Sequence, residues 1–395
     1  MPSRNWSLVA LPEDWENAGF GLYIHWPFCQ AKCPYCDFNS HVAAKIDQSA
    51  WATAYLSEID RVGALTKGRI LRSVFFGGGT PSMMDPEIVD AILSKVRATW
   101  GMANDIEITL EANPTSVEAG RFAGYRQAGV NRISMGVQAL NDVDLKALGR
   151  LHSHAEALAA FDVARGIFDR VSFDLIYARQ NQTVDAWRDE LSLALSLAVD
   201  HLSLYQLTIE SGTAFGDRYS AGKLRGLPDE DHAADMYEIT QQLCEDAGFP
   251  AYEVSNHAKL GAESLHNKIY WKYGDYAGIG PGAHGRLTLG GRKYATEAPL
   301  APGAWREKVK KTGSGEGDCI ELSVADQTTE FLLMGLRLTD GVDLTRLKPD
   351  QLNQFAPKIK ELSDMGLIDR AVDQLIVTTK GRPILNAVLR HLLDD

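Results

Sequence analysis

Cysteine is scarce in this chain, with 5 in 395 residues, and so sparse and odd-numbered a set excludes a disulfide framework. No apolar run approaches the ~20 residues that a membrane-spanning helix needs. The opening residues, Met1-Pro2-Ser3-Arg4-Asn5-Trp6, lack the basic and then apolar layout of a secretory signal. Together these features predict a reduced, cytoplasmic setting. Basic charge is also short: 40 Lys and Arg stand against 52 Asp and Glu, a formal charge of −12. With no basic cluster, that balance argues against nucleic-acid binding, while peripheral membrane contact through a local patch stays open. Internal repeats and low-complexity tracts are missing as well. What the chain does have is apolar residues, 45% of the total, enough for one large domain and a smaller one.

Three of the cysteines fall together in Cys29-Gln30-Ala31-Lys32-Cys33-Pro34-Tyr35-Cys36. The C-x3-C-x2-C spacing puts three thiolates on one short loop. A structural zinc site needs four ligands, so a fourth would have to come from His25, Asp37, His41 or a distant residue. A [4Fe–4S] cube takes cysteine thiolates, and three of them leave one iron free to hold something exchangeable. Spacing alone leaves both readings open. Cys244 and Cys319 stand apart and read as ordinary half-buried thiols.

Strands and helices alternate after the N-terminal segment. Strand Gly21–Trp26 runs directly into the cysteine loop. Helix Ser49–Leu65, strand Ile70–Phe76, helix Pro86–Trp100 and strand Ile106–Leu110 follow. Next come helix Val117–Ala128, strand Arg132–Gly136, helix Ala155–Ile167, strand Val171–Ile176, helix Val184–Ala198 and strand His201–Leu207. Such alternation predicts an α/β fold with a parallel sheet, and roughly six units, fewer than the eight of a complete barrel, predict a partial one. The cysteine loop, the run Gly77-Gly78-Gly79-Thr80-Pro81, Glu111 and Gln138 all fall at the C-terminal ends of these strands. Barrel enzymes build their sites on that rim. Glycines there expose backbone that a side chain would shield; Glu111 suits an ammonium group; Gln138, Arg150 and Asp174 offer hydrogen bonds. Each of these residues taken alone has a structural role as its commoner fate.

The assembly of Tyr23, the three cysteines, Gly77–Pro81, Glu111, Gln138, Arg150 and Asp174 resembles the radical S-adenosylmethionine (SAM) superfamily. Within it the chain resembles the oxygen-independent coproporphyrinogen III oxidase family, from about Gly21 to the C-terminus. The resemblance implies a partial (β/α)6 barrel of the radical SAM kind with a [4Fe–4S] cluster on Cys29, Cys33 and Cys36. It also implies a SAM site lined by Tyr23, Tyr35, Gly78, Gly79, Thr80, Glu111, Gln138, Arg150 and Asp174. That family holds a decarboxylating oxidase of haem synthesis and a haem-chaperone branch, HemW. The oxidases carry a further cysteine two residues after the triplet, where this chain has Phe38, and a longer N-terminal segment than precedes Gly21 here. Both departures point to the chaperone branch, as does His266-Asn267-Lys268-Ile269-Tyr270-Trp271, which matches its HNxxYW motif.

The HNxxYW stretch has two readings. His266 is either a haem-iron ligand, with Asn267 orienting it or meeting a propionate and Tyr270 and Trp271 flanking the macrocycle, or a satisfied histidine among core aromatics. The nearby run Gly278–His284 reads as a tight turn closing the cavity beside the cluster. Residues 293–326, with Gly313-Ser314-Gly315-Glu316-Gly317, read as a connector. Beyond it, helix Thr328–Leu336, helix Pro349–Met365, a hairpin around Ile368–Thr378 and helix Pro383–Leu392 predict a small winged-helix-like α+β domain over 327–395. That domain lacks a DNA-binding basic face, so it reads as a lid or docking surface. The expected division is thus 1–20, 21–292, 293–326 and 327–395.

The resemblance implies two functions of different class. One is haem binding and delivery to an acceptor protein by a SAM-ligated cluster protein. The other is oxidative decarboxylation of coproporphyrinogen III to protoporphyrinogen IX. Either implies an electron donor such as flavodoxin or ferredoxin, and a homodimer is left open.

Overall fold

The computed structural model describes residues 13–393; expectations for the residues before Glu13 lie outside it. Strands β1 (Phe20–Trp26), β2 (Ile70–Gly78), β3 (Gly101–Ala112), β4 (Arg132–Gln138), β5 (Arg170–Tyr177) and β6 (His201–Gln206) pair in sequence order, all parallel. Helices α1 (Gln48–Leu65), α2 (Pro86–Thr99), α3 (Phe122–Ala128), α4 (His154–Ile167) and α5 (Val184–Leu197) make the crossovers. Their starts are set locally: Asp47 caps α1, Thr183 caps α5, and Ser153 with Glu156 forms a capping box on α4.

Strand periodicity sorts the side chains into two environments. On β1, Phe20, Leu22, Ile24 and Trp26 are fully buried. Trp26 lies 6.2 Å from Trp51 and 6.3 Å from Tyr55, both on α1. Burial of each such side chain stabilises the fold by ~1.5–3 kcal/mol. The opposite phase, Tyr23 and His25 on β1, faces the barrel interior, which is unusually polar. Ser73, Glu107, Thr109, Arg132, Ser172 and Ser203 are all buried there. Complete barrels fill this space with branched apolar layers. Here Glu107 instead pairs with Arg132 at 3.8 Å and Arg170 at 3.1 Å, and Arg132 donates to Ser172 Oγ at 3.2 Å.

The expected partial barrel is present, and its sheet continues to 11 strands. After β6, helix α6 (Glu230–Asp246) leads to β7 (Asn256–Ala258), antiparallel on β6. Short helix α7 (Leu265–Trp271) leads to β8 (Asp275–Ile279), which is parallel to β1 on its free side. Antiparallel β9 (His284–Leu289), β10 (Arg292–Glu297) and β11 (Asp318–Glu321) complete that edge.

Of residues 293–326, expected as a connector, those up to Glu321 therefore belong to the main sheet and its packing, through β10, helix α8 (Pro302–Thr312) and β11, and the last three begin the C-terminal unit. Trp305 on α8 is fully buried and stacks on Trp51 at 5.6 Å. Gly315 and Gly317 mark close packing instead of looseness. A Cβ at Gly315 would sit 2.3 Å from Trp305 Nε1, while the Gly315 amide donates to Glu58 Oε1 at 2.9 Å. The helix expected over Val117–Ala128 is split in two, Ser116–Ala119 and α3. At the break, Arg121 turns inward and donates to Met83 O at 2.7 Å. Of the two lone cysteines, Cys244 is buried and Cys319 exposed.

The C-terminal unit has the winged-helix-like content expected. Helices α9 (Val324–Gly335), α10 (Pro349–Asp364) and α11 (Leu385–Leu393) accompany a three-stranded antiparallel sheet. The sheet runs β12 (Val342–Asp343), β14 (Gln374–Val377), β13 (Ile368–Ala371). It grips the barrel through Tyr273, whose ring joins the C-terminal core, and through Arg286–Glu330 at 2.8 Å and Arg346–Asp14 at 2.7 Å.

Candidate functional site

Cys29, Cys33 and Cys36 stand free and partly exposed on the loop after β1. The loop is tied to the rim by a hydrogen-bonded chain. Thr80 Oγ1 donates to Cys29 Sγ at 3.3 Å, and Asn113 Nδ2 donates to Thr80 Oγ1 at 3.3 Å. Arg150 Nη2 donates to Asn113 Oδ1 at 2.7 Å and Gly136 O at 2.8 Å, and Arg150 Nη1 reaches Cys33 Sγ at 3.5 Å. Asn113 escaped the sequence reading, although its place two residues after Glu111 at a strand end was the signal that could have found it. Below the loop, Phe215 N donates to Pro34 O at 2.8 Å.

The donor set fits an iron–sulfur cluster better than zinc. Burial pushes the Cys29 and Cys36 thiols up, so they await a positive charge to become thiolates. The zinc candidates are also engaged: His25 Nδ1 lies 3.0 Å from Tyr23 Oη and Nε2 2.9 Å from Asn39 O. His41 Nε2 lies 3.1 Å from Asn39 Oδ1, and Asp37 is exposed.

The glycine run lies against the cysteine loop with no room for side chains. A Cβ at Gly78, where φ is +109°, would sit 2.6 Å from the His25 ring, and one at Gly79 would sit 2.7 Å from Phe28 O. The Gly79 amide donates to Trp26 O at 2.7 Å and the Thr80 amide to Phe28 O at 2.8 Å. Amides are thus spent inside the protein; an ammonium ligand needs acceptors, which suits carbonyls and carboxylates. The turn Gly280–Gly282 walls the far side, with Asn39 Nδ2 donating to Pro281 O at 2.9 Å.

Two carboxyls, Glu111 and Asp174, face this space with no ion pair within 4 Å among the described residues. Burial, then the neighbouring Asp174 charge, pushes Glu111 up to about 8, against one backbone hydrogen bond from Gly78. Burial pushes Asp174 up to about 6, opposed by hydrogen bonding to Ser203 and the charges of Arg132 and Arg150. A carboxyl pair short of positive charge fits a cationic ligand, and SAM carries an ammonium and a sulfonium. Burial also raises the Tyr23 and Tyr35 hydroxyls, which keeps both as donors. Gln138 closes β4 at a φ of +72°. A Cβ on Gly136 would meet its Nε2 at 3.0 Å and Arg150 Nη2 at 3.4 Å. The rim residues named from the sequence are thus gathered at one end of the barrel.

The HNxxYW residues divide between two faces of α7, as i, i+4 spacing requires. His266 and Tyr270 turn into the barrel floor. His266 is 2% exposed, its Nδ1 lies 2.7 Å from Ser73 Oγ, its Nε2 lies 2.7 Å from Tyr270 Oη, and its ring stacks on Phe75 at 4.8 Å. Burial pushes its pKa down to about 3. Glu107 Oε1 accepts from the His266 amide and Ser264 Oγ, both at 3.2 Å. Asn267 and Trp271 point the other way: Asn267 Nδ2 donates to Tyr252 Oη at 3.3 Å, and Arg337 lies over the Trp271 ring at 4.5 Å. The satisfied-histidine reading describes this geometry, and iron ligation by His266 would require one of its hydrogen bonds to open.

Comparison with known proteins adds the following. Residues 23–194 match the radical SAM superfamily and residues 322–384 match the HemN C-terminal domain. The chain is 44% identical over 387 residues to heme chaperone HemW of Haemophilus influenzae, covering 95% of this chain and 98% of that one. It is 37% identical over 387 residues, with the same coverage, to heme chaperone HemW of Escherichia coli. It is 39% identical over 389 residues to the mitochondrial radical S-adenosyl methionine domain-containing protein 1 of Mus musculus, covering 94% of this chain and 87% of that one. The solved structure of coproporphyrinogen III oxidase (HemN) from Escherichia coli, a radical SAM enzyme, superposes with a TM-score of 0.80 at 22% identity, covering 95% and 90% of the chains. That last likeness is one of fold.

Proposed function

The chain belongs to the radical SAM superfamily and, within it, to the HemW family, and from that premise we propose that it is a haem chaperone. It binds haem and passes it to an acceptor protein while holding a SAM-ligated [4Fe–4S] cluster on Cys29, Cys33 and Cys36. The observation that carries this reading is similarity along nearly the whole chain to proteins named as haem chaperones. Phe38, 59% exposed where the oxidases of the family carry a further cysteine, supports it.

The bound cluster and SAM would supply one-electron chemistry at the sulfonium, and the chain places and shields them. Glu111 and Asp174 hold the cationic end of SAM. Tyr23 and Tyr35 donate hydrogen bonds, and Thr80 and Arg150 donate to the cysteine sulfurs. A cytoplasmic, reducing location goes with such a cluster. No helix among the described residues is long and apolar enough to cross a membrane.

Two assays on anaerobically reconstituted protein test the reading. Haem titration followed by absorbance is expected to saturate at a fixed stoichiometry. Incubation with coproporphyrinogen III, SAM and a reductant is expected to leave the propionates intact. Catalytic formation of vinyl groups would replace the chaperone with the oxidase.

A further inference from the structure

Among the described residues, His284 is set apart as the exposed histidine that makes no hydrogen bond. His232 and His391 are exposed too, but His232 Nδ1 lies 2.6 Å from Asp229 Oδ1 and His391 Nε2 lies 3.0 Å from Glu361 Oε2. The carboxylate beside His284, Glu297, stands 3.9 Å from its Nε2, too far for a hydrogen bond. Both nitrogens of the His284 ring are therefore free to take another partner.

The segments around His284 carry exposed apolar side chains. Phe38, Val42 and Leu300 are each more than half exposed. Asn39 ties these segments together, since its Nδ2 donates to Pro281 O and Leu300 O, both at 2.9 Å. A Cβ on Gly282, two residues before His284, would sit 2.5 Å from that same nitrogen. Val42 is paired with Cys29 in the short parallel ladder behind the cysteine loop. Burial holds His25 below its usual pKa against its hydrogen bond to Asn39 O, and the His41 and His284 rings add to the effect of burial, which places the three imidazoles at one corner. His25 and His41 are already bonded there, and His284 is not. A phenyl ring and branched side chains left in water beside a free imidazole fit a flat, apolar macrocycle whose iron has an open axial position.

We infer that His284, with Phe38, Val42 and Leu300 around it, is the face that holds haem, and that the His284 imidazole is the axial ligand. The inference rests on the haem-chaperone reading above and gives that cargo a place other than the HNxxYW helix, whose His266 is already satisfied. One coordinate bond forms from a ring nitrogen to the iron, a solvent ligand leaves the iron, and no electron is transferred. Glu297 is close enough to steady the ring, as a carboxylate behind a metal-bound histidine does. An open face with a single ligand leaves the propionates in water and the far side of the macrocycle free for an acceptor's own ligand.

The test is titration of the full chain with haem and with iron-free protoporphyrin IX, followed by absorbance. His284→Ala is expected to weaken haem at least tenfold and to lose the imidazole-ligated spectrum, with free imidazole restoring that spectrum and protoporphyrin binding unchanged. Phe38→Ser with Leu300→Ser is expected to weaken haem and protoporphyrin alike, at least fivefold. His232→Ala and His391→Ala, at rings as open to solvent, are expected to change neither. All these side chains lie on the surface, so the variants are expected to unfold in urea as wild type does. Unchanged haem affinity and spectrum in His284→Ala would overturn the site and leave the chaperone reading standing. A wild-type chain that binds no haem would overturn both.

Discussion

The His266 ring and the Tyr270 hydroxyl, one turn apart on α7, are joined by a 2.7 Å hydrogen bond on the barrel floor. Ser73 takes the other ring nitrogen at 2.7 Å. Replacing His266 with Ala strands the buried Ser73 hydroxyl and the half-buried Tyr270 hydroxyl, each unsatisfied buried group costing ~1–3 kcal/mol. The expected outcome is a stability loss of ~2–4 kcal/mol in urea unfolding, with haem affinity within threefold of wild type. A tenfold loss of affinity in a folded variant, with the spectrum losing an imidazole ligand, would assign the ring to the iron.

With Glu111 pushed up to about 8, the proposed SAM site is expected to bind its ligand with an affinity that depends on pH. Its carboxyl is raised on folding, so the ligand-free protein binds an extra proton between the ordinary carboxylate range and about 8, and this group's contribution to stability falls as pH rises through that window. A cationic ligand favours the ionised carboxylate. SAM affinity is therefore expected to rise, by up to about tenfold per unit, from pH 6 to 7.5, with proton release seen by calorimetry in buffers of different ionisation heat. Glu111→Gln should weaken binding and flatten the profile; an unchanged slope would remove Glu111 from the ligand.

The three loop cysteines should not be replaceable one at a time. Cys29→Ala, Cys33→Ala and Cys36→Ala are each expected to lose most iron and the brown cluster absorbance after anaerobic reconstitution, while Cys319→Ala, an exposed thiol, keeps both. Asn113→Ala tests the supporting chain, since it removes the link between Arg150 and Thr80. Its expected effect is partial, a cluster that loads but is lost faster to a chelator. Full iron in any of the three loop variants would mean that the cluster sits elsewhere.

The strands and the rim were legible because their signals are local. A β-branched run such as Ile70–Phe76 states its own conformation, and cysteines, Gly77–Thr80 and Glu111 at strand ends declare a common rim. Packing at a distance was not legible. The run around Gly315 read as a loose tether because Trp305, which Gly315 accommodates, gives no sign in sequence of where it will lie. The two readings of the HNxxYW stretch, haem contact or a satisfied histidine among core aromatics, both treated its four residues together, whereas helical spacing sends His266 and Tyr270 to the barrel and Asn267 and Trp271 to Tyr252 and Arg337. Asn113 was passed over for a similar reason: its place beside Glu111 marked the rim, but its importance lies in joining Arg150 to Thr80.

The least legible feature, and the one with the largest expected energetic effect, is a buried charge cluster at the join between the barrel and the C-terminal unit. Lys293 Nζ lies 3.0 Å from Asp275 Oδ1 and 2.9 Å from Asp14 Oδ2, over the Tyr273 ring at 4.2 Å. Arg69 Nη1 meets the other oxygen of Asp275 at 2.6 Å, and Arg346 meets the other oxygen of Asp14 at 2.7 Å. Asp275 is fully buried, so replacing it with Asn leaves two cations facing a neutral amide in a site that water does not reach. Removing one partner of a buried pair costs ~3–5 kcal/mol, a large share of a domain's stability. Asp275→Asn is therefore expected to unfold at markedly lower urea. Lys293→Met should cost less, because Arg69 still neutralises Asp275. The double variant should be more stable than the sum of the single losses predicts, since the two share one site. Additive losses in that cycle would mean that Lys293 and Asp275 act independently, and that the join is held by the packing around Tyr273 instead.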